Sequence, residues 1–320
     1  MEWVIATTQL VAGLFLLLIA GDCLISAAVN LGSRWNLSPI FMGTTVVAAG
    51  TSLPELVVAV IAQLEGSSGL SLGNVLGSNI FNIGVVLGLI FIWKDQRGLV
   101  GGRAETNILA LVTLGFLALI QFIKNADGIS LITKYQGGWL LALFAFLLVL
   151  NFLRGRAQGS SGEIDEFLSE ENMAKTYFKL LFGMIGLWLG AEILVTGASV
   201  LAQLLGISEI VIGLTVVAAG TGAPELFASI AALRRGSTGI ALGNILGSNI
   251  FNTLGVIGVA TLVAPLPLKI DDLRTDLIVM AFMTGSLLFT GWAIRGKLPV
   301  RIYGGILFGV YSWWLLRMVI

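Results

Sequence analysis

Two glutamates stand where a sequence this apolar should not hold charge. Glu55 ends the segment GTTVVAAGTSLPE at 43–55, and Glu225 ends GLTVVAAGTGAPE at 213–225, with ten positions identical at a constant offset of 170. Placing a carboxylate inside an apolar span costs at least ~2.5 kcal/mol, so such a residue marks a functional position. A glutamate near a helix end that reaches water, or one kept protonated, would need no function. The matched position in both copies argues against that. The residues beside each glutamate are oxygen donors. Ala48, Thr51, Ser52 and Glu55 are spaced i, i+3, i+4 and i+7, one face of a helix, and their counterparts are Ala218, Thr221, Gly222 and Glu225. Pro54 and Pro224 have no N–H, so the carbonyls of Gly50 and Gly220 four residues back lose their helical partner. In lipid a freed carbonyl persists only where protein, water or an ion satisfies it.

A second duplicated block adds amides and hydroxyls. GNVLGSNIFN at 73–82 and GNILGSNIFN at 243–252 differ at one position and share the same offset. Asn74, Ser78 and Asn82, and likewise Asn244, Ser248 and Asn252, recur every fourth residue and form a polar stripe along an otherwise apolar helix. The glycines of this block suit close helix approach, but packing alone does not call for six matched polar groups. Carboxylates, carbonyls, amide oxygens and hydroxyls together suit a hard cation; Ca²⁺ takes 6–8 such oxygens. Two glutamates would neutralise one Ca²⁺. Left empty, two adjacent carboxylates would repel, so Na⁺ or H⁺ must replace the calcium before the site can reorient.

Composition removes competing classes. The 320 residues are 57% hydrophobic and 11% charged, with a mean hydropathy of +0.96 and no net charge. Soluble domains carry about 25% charged residues, so a membrane protein in a lipid bilayer is expected. There is no histidine, which excludes HExxH zinc sites and imidazole relays, and the single Cys23 allows no internal disulfide. Without thiolate or imidazole clusters soft metals are disfavoured. No dense basic tract points to nucleic acid, no cofactor is expected, and nothing demands more than one copy, so a monomer is expected. The first apolar run lacks an A-x-A cleavage pattern and reads as a retained span.

Runs of roughly 20 apolar residues place ten spans near 4–30, 39–63, 70–93, 105–123, 137–153, 177–204, 209–233, 240–264, 273–294 and 302–320. The fold expected is all-α and integral to the membrane, with a first repeat at 1–153, a cytoplasmic loop at 154–175 and a second repeat at 176–320. The loop carries Glu163, Asp165, Glu166, Glu170 and Glu171 and reads as a solvated connection. Five spans per copy is an odd number, so the copies enter the membrane from opposite sides, an inverted duplication that marks secondary transporters with a site at mid-membrane. Most of the 18 lysines and arginines fall in the loops of one face; with that face cytoplasmic, both termini lie outside a cell membrane. Asp22 and Glu192, also 170 apart, fall in the middle of spans 1 and 6. They could line a passage, hold a transient proton or pair at an interface.

At GTSLPE and the two GSNIFN segments the chain resembles the sodium/calcium exchanger family of the cation/calcium antiporter superfamily, in its prokaryotic form, over its whole length. The resemblance implies an antiporter rather than an enzyme. It implies a central calcium site of Glu55, Glu225 and the backbone oxygens of Thr51 and Thr221. Ala48, Ser52, Ser78, Asn82, Ala218, Ser248 and Asn252 would complete flanking sodium sites, and spans 1 and 6 would slide across the other eight. Two departures stand out: many members have aspartate at Asn252 and serine at Gly222. Two carboxylates instead of three balance two Na⁺ or two H⁺, which leaves Na⁺/Ca²⁺ and H⁺/Ca²⁺ exchange both open. A passive cation channel is the alternative of another class. An intramembrane protease would need aspartyl or nucleophile motifs that the two glutamates lack.

Overall fold

The computed structural model describes residues 1–93, 103–123, 129–159, 172–207, 212, 218–289 and 300–319, with backbone alone at 218, 219 and 319. The chain opens with α1 (Glu2–Arg34), then α2 (Pro39–Thr51) and α3 (Leu53–Leu64), which meet at a bend of 44°. Next come α4 (Ser68–Trp93), α5 (Arg103–Phe122), strand β1 (Ile129–Ile132), α6 (Lys134–Gln158) and α7 (Met173–Leu204). The second half continues with α8 (Ala218–Thr221), α9 (Ala223–Arg234), α10 (Thr238–Val263), strand β2 (Leu266–Lys269), α11 (Ile270–Leu287) and α12 (Val300–Val319).

Among the described residues six helices, α1, α4, α5, α6, α7 and α10, are each long and apolar enough to cross a bilayer, and the bent α2–α3 pair makes seven. Helices α9, α11 and α12 occupy positions expected for the remaining spans, but the start of the seventh, 209–217, and the end of the ninth lie largely outside the described residues. Phe15, Leu111, Trp139, Phe146, Phe178 and Phe282 face outward, a surface fit for lipid and not for water. The expected loop at 154–175 is shorter at both ends. Helix α6 runs on through Arg154 and Arg156 to Gln158, and Asn172 caps α7 by accepting from the Ala174 N–H at 3.1 Å. Its acidic residues 163–171 lie outside the described residues.

The core is built on α4 and α10, of whose apolar stretches 83% and 78% are buried, against 11% for α6. Helices α1 and α7 pack along each other with their backbones nearly touching. A Cβ on Gly183 would stand 2.6 Å from the Leu24 nitrogen, one on Gly190 3.0 Å from Leu17, and one on Gly197 2.6 Å from the Ala6 carbonyl. Contacts that descend along α1 as they ascend along α7 make the two antiparallel, and the glycines permit the approach.

One feature departs from the expected all-α reading of the chain. β1 and β2 form an antiparallel pair, Ile129 opposite Lys269 through Ile132 opposite Leu266, and tie the lead-in of α6 to that of α11. Asp22 is half exposed on α1, and its Oδ2 lies 3.6 Å from Nη2 of Arg235, just beyond α9. Of the roles open to it, pairing between elements is the one observed. At 33 residues α1 is about 50 Å long, well over the ~30 Å hydrocarbon core, so a residue central in the run need not sit at mid-membrane.

Candidate functional site: two carboxylates on a broken-helix scaffold

Both copies break in the same way. Ser52 has φ −90°, ψ 8° and Gly222 has φ −86°, ψ 0°, each just before a helix that carries proline in its first turn. The missing N–H of Pro54 or Pro224 ends one helix, and its fixed φ starts the next. Glu55 and Glu225 thereby fall in the first turns of α3 and α9, where the partial positive charge of the helix N-terminus favours a carboxylate.

The breaks meet the polar stripes across the molecule. Thr51 Oγ1 donates to Asn244 Oδ1 at 3.1 Å and lies 3.3 Å from Ser248 Oγ. Ser52 Oγ donates to Glu225 Oε1 at 3.2 Å. Asn74 Nδ2 donates to the Glu55 carbonyl and Asn244 Nδ2 to the Glu225 carbonyl, both at 3.2 Å, the same contact in both copies. Glu55 lies in the field of Glu225 and beside Ser78, while Thr51, Ser52 and Ser248 surround Glu225. Glu55, Glu225, Thr51, Ser52, Asn82, Ser248 and Asn252 are inaccessible to solvent, and Ser78 almost so.

Within this buried cluster, oxygens are left without partners. Both carboxylate oxygens of Glu55, Oε2 of Glu225, Oδ1 of Asn82, Oδ1 of Asn252 and Oγ of Ser78 have none. An unsatisfied buried polar atom costs ~1–3 kcal/mol, more when charged. Nδ2 of Asn252 is also unpartnered, yet acceptors outnumber donors among these atoms, an imbalance that a positive ion would satisfy. Among the described residues no group of three or more Asp, Glu, His or Cys assembles, so the charge supplied here is that of two carboxylates.

Most residues singled out in the sequence are brought to this place. Ala48 is buried and offers only its carbonyl, which accepts from Ser52 N–H at 3.0 Å and from the Thr51 hydroxyl at 3.3 Å. Thr221 ends α8 half-buried, and the Ala218 side chain lies outside the described residues. Asn79 and Asn249 have a larger part than the stripe suggested. Asn82 Nδ2 donates to Asn249 Oδ1 at 3.1 Å, Asn249 Nδ2 to the Asn79 carbonyl at 3.2 Å, and Asn79 Nδ2 to Thr253 Oγ1 at 3.0 Å. Each sits one residue past a stripe serine, so the every-fourth pattern passes over it. Its identity in both copies was the available signal.

The fold and the buried oxygen cluster define a membrane protein with a polar site in its core. Residues 5–153 and 175–319 each match the sodium/calcium exchanger protein family, and the chain belongs to that family. Inner membrane protein YrbG of Escherichia coli is 32% identical over 97% of this chain and 96% of its own length. Sodium/calcium exchanger MaX1 of Methanosarcina acetivorans is 29% identical over 89% and 92%. The solved structure of the sodium-calcium exchanger NCX_Mj soaked with 2.5 mM Na⁺ and 0.1 mM Ca²⁺ superposes with a TM-score of 0.77 at 29% identity, covering 96% of each chain. This is therefore a multi-pass membrane transporter and a cation/Ca²⁺ exchanger by family, not an enzyme.

Proposed function

We propose that this chain is a secondary antiporter that exchanges Ca²⁺ for Na⁺ by alternating access, holding the ions at mid-membrane between Glu55 and Glu225. The observation that carries the reading is the set of unpartnered, buried oxygens on Glu55, Glu225, Ser78, Asn82 and Asn252, a number and type suited to the 6–8 oxygens of Ca²⁺. In this reading the carbonyls of Thr51 and Thr221 complete the calcium site. Ser52, Ser248, Ala48 and Ala218 serve the adjoining sodium positions.

Ten spans form two inverted repeats, 1–153 and 176–320, joined by a cytoplasmic loop at 154–175, with both termini outside the cell membrane. The antiparallel packing of α1 on α7, equivalent helices 170 residues apart, supports the inversion. Two carboxylates balance either one Ca²⁺ or two monovalent cations, so exchange is electroneutral. A vacated site leaves two like charges in low dielectric, which opposes reorientation until Na⁺ enters.

Proton exchange on the same scaffold is the second reading, favoured by asparagine at 252, which lowers the negative charge available for sodium. Proteoliposomes separate the two. Calcium uptake driven by an imposed sodium gradient and indifferent to a proton gradient is expected. Uptake that follows the proton gradient and ignores sodium would establish the second reading. Single-channel currents would replace both with a passive cation channel.

A further inference from the structure

A third buried carboxylate lies away from the two glutamates of the exchange site. Glu105, in the first turn of α5, is 4% exposed, and its Oε2 has no partner. It lines a cavity of about 30 Å³ between α2, α5, α6 and α10, together with Thr44, Phe144, Leu147, Asn151 and Gly247. That is room for one or two water-sized particles. The position matching Glu105 in the second half is Thr275, so the cavity carboxylate is not duplicated, unlike those of the exchange site.

We infer that this cavity is an accessory site for one monovalent hard cation, with sodium the natural probe. The ligand set follows from the walls. Glu105 brings one negative charge. Thr44 and Asn151 bring neutral oxygens and are already fixed to each other, Asn151 Nδ2 donating to Thr44 Oγ1 at 2.5 Å while that hydroxyl donates to the Phe41 carbonyl at 3.1 Å. The charged group facing Glu105 is Arg154, three residues beyond Asn151 on α6, and it is exposed. No ion pair joins Glu105 to it among the described residues. One positive charge neutralises the carboxylate; a divalent ion would overshoot beside the arginine. The polar side chains of the lining, Thr44, Glu105 and Asn151, offer oxygen and amide groups among apolar neighbours such as Ile108, Leu148 and Ile250, with no thiolate or imidazole for a soft metal.

The site would communicate with the exchange site. Thr44 belongs to the wide π-helical turn Gly43–Val47 of α2, and a Cβ on Gly247, next to Ser248, would stand 2.5 Å from the Thr44 backbone. A cation in the cavity therefore braces the crossing of α2 and α10, the two helices that bring Thr51 to Ser248. Linkage makes any such coupling reciprocal.

The test removes the exchange site's charges first. In the full chain carrying Glu55→Gln and Glu225→Gln, replacing N-methylglucamine by sodium at constant ionic strength should still raise the unfolding temperature. Adding Glu105→Gln should abolish that rise. No sodium-dependent rise, or one that survives Glu105→Gln, overturns the inference, whatever becomes of the exchange reading. Should the double variant not fold, the parent chain is titrated with sodium while Ca²⁺ keeps the exchange site filled. Thr44→Val and Asn151→Leu should then each raise the sodium midpoint by at least about fivefold and leave the calcium midpoint measured without sodium unchanged. An unmoved sodium midpoint in both overturns it.

Discussion

The two copies of the broken helix share a backbone but not a set of oxygens. In the first copy Ser52 donates its hydroxyl to Glu225 Oε1 at 3.2 Å. In the second the matching residue is Gly222, and the Phe81 ring occupies the space a side chain would take there. Glu225 thus has one oxygen held, whereas Glu55 has neither. The duplication supplies the break, the helix end and the carboxylate twice over. Its later divergence, Ser52 against Gly222, makes the two carboxylates unequal.

The largest effect should come from neutralising either glutamate. Glu55→Gln and Glu225→Gln should each lower calcium exchange by ~100-fold or more, since charge count sets affinity over orders of magnitude in calcium sites. Calcium flux into proteoliposomes measures it, and survival of transport in either variant would break the pairing of the two copies. Ser52→Ala comes next. It strips Glu225 Oε1 of its donor, worth ~1–3 kcal/mol, so calcium affinity should fall roughly ten- to hundredfold. Gly222→Ala has no donor to lose and should act on stability instead, costing ~1–3 kcal/mol through its clash with Phe81 and so lowering the unfolding temperature. Equal loss of calcium affinity in both variants would erase the asymmetry.

Asn252→Asp adds a third carboxylate and should steepen the sodium dependence of calcium flux severalfold; an unchanged dependence would remove Asn252 from the ion path. The smallest effect is expected at Asp22, whose pair with Arg235 is partly exposed. Exposed pairs contribute ~0–1 kcal/mol, so Asp22→Asn should alter exchange rates by less than about fivefold.

Much of this site is legible from sequence because it is duplicated. The constant offset of 170 picks out Glu55 and Glu225, the prolines locate the breaks, and the every-fourth stripe finds Ser78, Asn82, Ser248 and Asn252. What stayed hidden depends on partners distant in the chain. The Asp22–Arg235 pair spans the two halves and follows no period. Phe81 reads as an ordinary core aromatic until its ring is found against Gly222. The β1–β2 pair joins two four-residue segments, ISLI and LPLK, too short to show alternation against the apolar background. The π-helical turns at Gly43–Val47, Asn82–Leu87 and Phe251–Val256 leave no mark in spacing either. They lie beside the breaks or along the polar stripes, the kind of place where such turns recur in functional helices.

The proposed exchange turns on charge count: two carboxylates would balance one Ca²⁺ against two monovalent cations, with no net charge moved. Calcium flux through the reconstituted protein, measured while potassium and valinomycin set the membrane potential, tests it directly. The predicted result is a rate that stays the same from zero to ~100 mV of either sign. One net charge per cycle would add ~2.3 kcal/mol of driving force over that range, and a flux that rose or fell severalfold with potential would contradict a two-carboxylate site.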